Sequence, residues 1–540
     1  MEQEIKKDYF KRNKWAYSLG GIGRDMSYTL VASFFITYIQ FAGLGLSVAQ
    51  FSVISMLLIA GRVWDAVNDP IMGTIIENTK SRWGKFKPWI LLGAVLTGIV
   101  VVLMFNYRPL GNNGWNFVIF FGIIYLLWEI TYTMNDISYW SMLPSITTDT
   151  KRRNSITTLA VVFAGVGAFA ANAIIMVTTT GNAVKGYALI SIIIAIFLIL
   201  CQALTVFGVK QPKIEIDESE EKITIPKMIK VIKNNDQLLW VVLAMLLYNV
   251  GSGIFIGLGY NFIYIELGYD GTLALIFIAS FGVSNIGIQT LYPRLANKFG
   301  RKKLVLYSFI AIAVGYSFML LLGFVPFLPI NIITIVIFGV IVFAGQAIIY
   351  MILTINITNT VEYNQYKTNE RNEAVIFSLR PFMAKFGSAL QQGIVALVLI
   401  ISGIYTLSGN INFLESQKHY FDDLTQAEQT EYKENITNRI IIFDTEEFEN
   451  LTQEEKEHYY DILENVTFSQ SEGKEVMEIK AAADNFFKNE ADIPMRLILR
   501  ASITILPILF IFFTYAILTH KFKIDEKMYE DIIADIKSRN

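Results

Sequence analysis

Cysteine and histidine are almost missing from this chain of 540 residues, which has one cysteine, Cys201, and three histidines. This composition leaves no cysteine pair for a disulfide and almost nothing for a zinc site. It also leaves little for a thiol nucleophile with an imidazole base. No other nucleophile–base set is evident, so we expect that the protein is not an enzyme and has no bound cofactor.

Charged residues are also scarce. They make up 17% of the chain, whereas 53% of the residues are hydrophobic and the mean hydropathy is +0.45. A soluble domain has about 25% charged residues. The apolar runs reach the roughly 20 residues that a helix needs to cross a bilayer, and they lack the alternation typical of barrel strands. The composition therefore predicts an all-α polytopic membrane protein.

Twelve segments are predicted to be membrane-spanning helices, and both termini are predicted to be cytoplasmic. The spans cover residues 15–43, 49–76, 87–107, 116–143, 155–179, 187–208, 239–265, 272–295, 303–323, 328–358, 372–405 and 496–520. Basic residues cluster in the connections predicted to be cytoplasmic, as in Lys80–Lys87, Lys151–Arg153 and Arg294–Lys303. This positive-inside bias predicts a multi-pass protein of the cell membrane.

The chain divides into two six-helix halves and an insert. We predict an N-terminal half at 1–209, a cytoplasmic linker at 210–238, a C-terminal half at 239–405 and 496–520, and a cytoplasmic tail at 521–540. Similar basic loops follow spans two and eight, as expected for duplicated halves.

Residues 406–495 form an acidic insert that we predict to be extracytoplasmic. Its central part, 411–493, holds 21 acidic and 7 basic residues and leaves a net charge of +12 on the rest of the chain. We expect a small helical unit that is dispensable for transport, because a short linker could replace it without touching the spans.

Acidic residues in span two point to a cation site. Asp65 and Asp69 are four residues apart and therefore share one helix face, with Asn68 beside them. A charged group at a helix centre costs at least about 2.5 kcal/mol, so it is rarely idle. Carboxylate and amide oxygens are the ligands that hard cations prefer. The alternative is a charge pair with Arg62 that holds helices together.

Spans one, four and eleven carry further polar groups. Glu129, Thr133, Asp136 and Trp140 share one face of span four, where a carboxylate beside an aromatic ring suits a sugar. A helix-packing stripe is the alternative. In span one, Asp25 is a candidate for binding, although Arg24 could simply pair with it. In span eleven, Lys385 is a counter-charge for these acids or a snorkelling lysine.

The sequence resembles the glycoside–pentoside–hexuronide:cation symporter family of the major facilitator superfamily. The resemblance is carried by RVWDAVNDPIMGTIIENTKSRWGKFKPWIL, YTMNDISYWSMLPSIT and TVEYNQYKTNERNEAVIFSLRPFMAKFGSA, which are long and occur in the family's order. It implies the major facilitator fold, with twelve helices in two pseudo-symmetric halves.

The resemblance also implies roles for individual residues. It places the coupling cation at Asp65, Asn68, Asp69 and Thr133, and the sugar at Asp25, Asp136, Trp140, Tyr350 and Lys385. The sequence departs from the family at Glu129, where a small residue is usual, at Val161, where an arginine is usual, and at Arg380–Pro381, where Gln-Thr is usual. These departures border the sugar site.

Together the residues and the resemblance predict a symporter that imports a sugar or glycoside with Na⁺, or alternatively H⁺ or Li⁺. The expected partners are a small sugar, a monovalent cation and the lipid bilayer, with no nucleic acid, and we expect a monomer. Two alternatives remain open at this point. One is a cation symporter for a non-sugar solute, and the other is a membrane sugar sensor that does not transport.

Overall fold

In a computed structural model, the protein is built almost entirely from long helices. The structure describes residues 9–147, 149–210, 225–370, 372–440, 452–471 and 474–539. Eleven helices in these ranges are long and apolar enough to cross a membrane. Many of their apolar side chains are exposed, among them Ile119, Leu200 and Phe207, as expected for a surface that faces lipid. The predicted all-α polytopic fold is confirmed.

Six long helices precede the linker, and together they are called the N-half. They are α1 (Phe10–Phe41), α2 (Val48–Glu77), α3 (Lys87–Asn106), α4 (Trp115–Met142), α5 (Thr150–Thr179) and α6 (Ala183–Gly208), and a 3₁₀ turn at Leu143–Ser145 extends α4. Helix α1 packs against α5 and α6, and α3 packs against α4 and α6.

The remaining long helices form the C-half. A short helix, α7 (Ile225–Asn234), leads into it. The C-half consists of α8 (Asp236–Leu267), α9 (Gly271–Phe299), α10 (Arg301–Leu321), α11 (Ile332–Thr368), α12 (Glu373–Ile401) and, beyond the insert, α17 (Ile493–Ala516). A π-helical turn at Ile517–Lys521 extends α17, and α18 (Glu526–Arg539) ends the described chain. Helix α8 packs against α12 and α17, and the two halves meet where α2 contacts α12 and α5 contacts α9.

Helix α1 is the predicted span that does not reach the hydropathy of the other eleven. Its 32 residues extend about 48 Å, which is long enough to cross a bilayer. Its charged residues, Arg24 and Asp25 among them, lower its hydropathy, yet Arg24 is buried in the protein. Polar groups in a membrane helix normally face the interior of the bundle, and α1 follows that rule.

Polar caps determine where several helices begin. Ser47 and Gln50 form a capping box at the start of α2, and Asp149 accepts hydrogen bonds from the backbone amides of Lys151 and Arg152 at the start of α5. Asp270 caps α9 in the same way. These side chains satisfy amides that have no partner within the helix.

Helices α1 and α5 approach so closely that a glycine is required at their crossing. A Cβ atom added to Gly167 would lie 2.3 Å from the carbonyl oxygen of Ile22, whereas one added to Gly165 would meet nothing within 4 Å. Overpacking of this kind typically costs about 1–3 kcal/mol. We therefore expect Gly167→Ala to lower the melting temperature of the detergent-purified protein and Gly165→Ala to leave it nearly unchanged. Equal melting temperatures for the two variants would contradict this packing.

The insert between α12 and α17 is a folded unit, but it is not purely helical. It contains α13 (Ile404–Asp423), α14 (Gln426–Thr437), α15 (Gln453–Leu463), an antiparallel hairpin of β1 (Thr467–Ser471) and β2 (Lys474–Glu478), and α16 (Lys480–Glu490). Thr425 and Glu428 form a capping box at the start of α14. Phe421, Leu463 and Met477 are buried in its core. The hairpin was not predicted from the sequence.

The insert lies at one end of the helical bundle, which we call the insert side. Its side chains reach the α1–α2, α5–α6 and α8–α9 connections, for example at Gly43, Ala183 and Tyr269. The opposite end, where α6 leads into the linker and α18 follows α17, is called the linker side.

Candidate functional site

A polar cavity of about 220 Å³ lies among α1, α2, α4 and α12. Its volume is below the roughly 300–1,000 Å³ of typical ligand pockets, so it suits a solute of the size of one sugar ring. Both halves contribute, since α12 belongs to the C-half. The lining residues are Arg24, Asp25, Tyr28, Arg62, Asp65, Glu129, Tyr132, Thr133, Asp136, Trp140 and Lys385.

Arg24 is the centre of one charged cluster in the cavity. Its Nη2 lies 2.6 Å from Asp25 Oδ2, and its Nη1 lies 3.2 Å from Asp136 Oδ1. Its guanidinium carbon lies 4.7 Å and 4.8 Å from the ring centroids of Tyr139 and Trp140. The arginine side chain is 4% exposed, while those of Asp25 and Asp136 are 24% and 29% exposed. The buried cation thus holds two carboxylates and an indole at the cavity wall, where all three can contact a solute.

A second cluster joins the two halves through Lys385. The ammonium Nζ lies 2.9 Å from Asp65 Oδ2 and 2.6 Å from Asp69 Oδ2. Asp65 also accepts a hydrogen bond of 3.0 Å from the Thr133 hydroxyl. Because α2 belongs to the N-half and α12 to the C-half, one lysine pairs with two carboxylates across the interface.

Two polar atoms of this second cluster have no partner among the residues that the structure describes. They are Asp69 Oδ1 and Asn68 Nδ2, which are buried and make no hydrogen bond there. A buried acceptor without a partner costs about 1–3 kcal/mol. The carboxylate oxygens of Asp69 and Asp65 are hard donors of the kind that a small cation prefers.

Arg62 pairs with Glu129 rather than with the aspartates of its own helix. Arg62 Nη1 lies 3.7 Å from Glu129 Oε1, and both side chains are almost fully buried. The guanidinium also lies over the rings of Tyr28 and Trp128, at 5.5 Å and 5.8 Å from their centroids. The charge pair that the sequence offered as the alternative to a cation site is therefore present, but its acid is Glu129, and Asp65 and Asp69 pair with Lys385.

The structure brings most of the predicted site residues together. Among those predicted to bind sugar or cation, the cavity lining includes Asp25, Asp65, Thr133, Asp136, Trp140 and Lys385. Asp69 and Asn68 lie beside it on α2.

Tyr350, which was also predicted to bind the sugar, lies on α11 and is not among the lining residues of the cavity. Its hydroxyl accepts a 2.6 Å hydrogen bond from Arg380 Nη2, and the Arg380 guanidinium carbon lies 5.4 Å from the centroid of its ring. Val161, where the resembled family has an arginine, is 56% exposed.

Two lining residues, Tyr28 and Tyr132, were not identified from the sequence. Their rings lie 5.3 Å apart, and Tyr132 stacks on Trp128. Helical spacing could have indicated them. Tyr132 precedes Asp136 by four residues and Tyr28 follows Asp25 by three, so each tyrosine lies on the same helix face as its neighbouring aspartate. Aromatic residues are so common in this chain that the spacing did not distinguish these two.

Several known transport proteins are similar to this chain in sequence. A lactose permease of Leuconostoc lactis is 32% identical over 74% of this chain and 65% of its own length. A raffinose carrier protein of Pediococcus pentosaceus is 28% identical over 72% of this chain and 62% of its own. The chain therefore spans less than two thirds of the length of these relatives. An isoprimeverose transporter of Lactiplantibacillus pentosus is 23% identical over 72% of this chain and 80% of its own.

Solved structures show the same fold. A bacterial homologue of the human lysosomal transporter Spinster superposes with a TM-score of 0.57 at 12% identity, over 95% of this chain and 97% of that one. A mutant of the nucleoside transporter NupG gives 0.52 at 12% identity, over 74% and 98%. The model of the family described as "MFS/sugar transport protein" matches residues 16–423, and because this region is more than half of the chain, the protein belongs to that family.

Proposed function

We propose that the protein is a symporter that carries a sugar or glycoside across the cell membrane together with a monovalent cation, by alternating access. The observation that carries the proposal is the adjacency of the two charged clusters. Arg24, Asp25, Asp136 and Trp140 form one wall of the cavity, and Lys385 links the same cavity to Asp65 and Asp69. The names of the relatives, a lactose permease and a raffinose carrier among them, support a sugar as the solute.

The first cluster is the proposed sugar site. Asp25 and Asp136 accept hydrogen bonds from sugar hydroxyls, and the indole of Trp140 packs on the apolar face of the ring. Arg24 pairs with both carboxylates and fixes their position. Since charged acceptors form the stronger hydrogen bonds, this arrangement favours a polyhydroxylated solute over an apolar one.

The second cluster is the proposed cation site, formed by Asp65 and Asp69 with Asn68 and Thr133. Na⁺ is the first candidate for the cation, and H⁺ and Li⁺ are the alternatives. A cation that binds the two carboxylates competes with the Lys385 ammonium, which holds the same oxygens in this structure. Binding thereby loosens an ion pair between the halves and changes the balance between conformations. Coupling requires such a differential affinity of the ligand for two states.

The proposed orientation places the linker side and both termini in the cytoplasm and the insert outside. The support is the distribution of basic residues, since Lys80, Arg152 and Arg301 all lie in linker-side connections or at the helix ends beside them. With this orientation the membrane potential drives a cation inward, and about 100 mV supplies about 2.3 kcal/mol. That corresponds to roughly a fifty-fold concentration ratio of the solute.

Counterflow in proteoliposomes tests the transport function. Vesicles loaded with unlabelled galactosides, glucosides or pentosides are diluted into a trace of the labelled sugar. We expect transient accumulation of the label with at least one of these classes. Binding of a sugar without counterflow would instead favour a sensor, and neither binding nor counterflow for any of them would favour a non-sugar solute.

A further inference from the structure

Helix α13 of the insert is hydrogen-bonded to the N-half. Asn412 Oδ1 accepts a hydrogen bond of 2.7 Å from the backbone amide of Gly43, and Asn412 Nδ2 donates to the carbonyl of Ile39 at 3.3 Å. The asparagine is buried. It therefore fixes α13 to the end of α1.

One turn further along α13, Glu415 joins both halves with a single carboxyl group. Its Oε2 accepts a hydrogen bond of 2.7 Å from the backbone amide of Ala183, the first residue of α6 in the N-half. Its Oε1 lies 2.9 Å from the Tyr269 hydroxyl, in the α8–α9 connection of the C-half. Glu415 is 1% exposed, so water does not replace either contact in this conformation.

Other parts of the insert reinforce these contacts. Asp484 on α16 accepts a hydrogen bond of 2.5 Å from the Tyr269 amide, and Lys480 Nζ donates to the Tyr269 carbonyl at 3.1 Å. On the N-half, Lys185 Nζ lies 2.7 Å from Asp423 Oδ1. The insert thus holds the Tyr269 backbone from one side and the start of α6 from the other.

Beneath the insert the two halves also contact each other directly. The side-chain amides of Gln40 on α1 and Asn261 on α8 are paired, with a hydrogen bond of 3.2 Å from Gln40 Nε2 to Asn261 Oδ1. The hydroxyls of Thr180 and Tyr264 lie 2.9 Å apart. The insert side is therefore closed in this structure, and these contacts must break before a solute can enter from that side.

We propose that the insert is a latch that holds the insert side closed, and that Glu415 is the residue whose contacts must be released for this side to open. The proposal depends on the proposed function only in that the halves alternate between two conformations. From the sequence we expected the insert to be dispensable, because a short linker could replace it in the path of the chain. The contacts between the insert and the two halves lead us to propose the latch instead.

The latch has a built-in response to pH. Burial raises the pKa of the Glu415 carboxyl from 4.5 to about 8, against the smaller opposing effects of the Ala183 amide and the Tyr269 hydroxyl. Glu415 lies outside the membrane-spanning helices. In the open state it meets water, its pKa returns towards 4.5, and it releases its proton. Protonation therefore favours the closed state at low pH, and this preference is lost as the pH rises from about 4.5 to about 8.

Other titratable groups lie around Glu415. Those that interact with it are Lys418 on α13, Tyr187 on α6, Tyr264 on α8 and Tyr269 in the α8–α9 connection. Tyrosine side chains ordinarily titrate near pH 10, and burial raises the pKa of Tyr269 further. Charged residues further out are paired, as Lys185 is with Asp423 and Lys480 with Asp270 and Asp484.

His419 is a further titratable neighbour of Glu415. It lies one turn beyond Glu415 on α13, and its Nδ1 is 3.5 Å from Asp423 Oδ2. Burial lowers the pKa of this imidazole below 6.5, so its titration falls below that pH. The variant Glu415→Gln therefore tests whether a pH response between about 6.5 and 8 belongs to Glu415.

Distances between spin labels test the latch directly. With Cys201→Ser as background, Leu110→Cys in the α3–α4 connection and Phe327→Cys in the α10–α11 connection place labels on exposed sites of opposite halves at the insert side. Double electron–electron resonance on the purified, sugar-free full chain then gives the populations of closed and open states as a function of pH.

Variants of Glu415 separate the latch from a merely structural role. Glu415→Gln imitates the protonated carboxyl, because its amide oxygen accepts from Ala183 while its amide nitrogen donates to Tyr269. Glu415→Ala removes both contacts. Tyr269→Phe removes only the contact with the C-half. Glu431→Gln, at an exposed position of α14, is the matched control.

We expect Glu415→Ala to shift the ratio of open to closed states at pH 6 by on the order of tenfold towards open, and Tyr269→Phe to shift it less. Glu415→Gln should stay closed and lose the pH dependence between about 6.5 and 8. Wild-type populations in Glu415→Ala, or a wild-type pH profile in Glu415→Gln, would overturn the proposal. If Glu415→Ala does not fold, Glu415→Gln and Tyr269→Phe decide the question. Because no sugar is present, a failure of sugar counterflow would leave these results unaffected.

Discussion

Replacing Asp69 with asparagine should abolish the stimulation of sugar transport by the coupling cation. The amide has nearly the shape of the carboxylate, but it lacks the charge that attracts the cation and pairs with Lys385 at 2.6 Å. Asp25, Asp136 and Trp140 are unchanged in this variant, so sugar binding and some counterflow should persist. The measurement is the initial rate of uptake in proteoliposomes with and without Na⁺ or Li⁺, and at several pH values.

The control for Asp69→Asn is Asp531→Asn, which makes the same change of charge at an exposed position of α18. We expect this control to keep the cation stimulation of the unaltered protein. If Asp69→Asn also kept its full stimulation, the assignment of the cation to α2 would be wrong.

Asp136→Asn should weaken sugar binding about ten- to a hundred-fold, which is the second large effect. Loss of a hydrogen bond to a charged acceptor costs about 1.5–3 kcal/mol. Arg24 keeps its partner Asp25, at 2.6 Å, so the variant does not leave the arginine unpaired. Isothermal titration calorimetry of the purified protein with sugar, and separately with cation, measures both affinities.

The two titrations of Asp136→Asn distinguish a binding role from a general disturbance. We expect a lower affinity for sugar together with an affinity for the cation close to that of the unaltered protein. Unchanged sugar affinity would exclude Asp136 from the sugar site. An equal loss of both affinities would show that the carboxylate stabilises the cavity as a whole.

The sequence predicted the helices well because hydrophobic length is a local property. The apolar runs predicted to be spans are long helices in the structure, and the charged residues inside them stand out as the unusual groups. Helical spacing also placed Asp65 with Asp69, and Thr133 with Asp136, on shared faces. These inferences need only the geometry of a single helix.

The partners of those charges could not be derived in the same way. Arg62 has Asp65 and Asp69 on its own helix, yet its partner is Glu129 on α4. Lys385 reaches Asp69 across 316 residues of sequence, and its pairing follows from how the two halves pack. Spacing within one helix carries no information about which helix lies opposite.

The insert shows the same limit more strongly. The path of the chain suggested a unit that a short linker could replace, whereas Asn412 and Glu415 are buried against the helix ends of the bundle. Glu415 lies in a polar stretch of α13, and no pattern in the sequence distinguishes it from the exposed acidic residues of the insert. The burial comes from the α5–α6 and α8–α9 connections, which are more than 140 residues away along the chain.

Accumulation of sugar against its gradient tests the central claim, coupled transport, most directly. Proteoliposomes containing the purified full chain are given a labelled sugar that undergoes counterflow, with an inward gradient of Na⁺, Li⁺ or H⁺ or with no gradient. The account predicts that one of these gradients drives the internal sugar above its external concentration and that Asp69→Asn reaches only equal concentrations. Equilibration without accumulation under every gradient would show a uniporter and would contradict the proposed coupling.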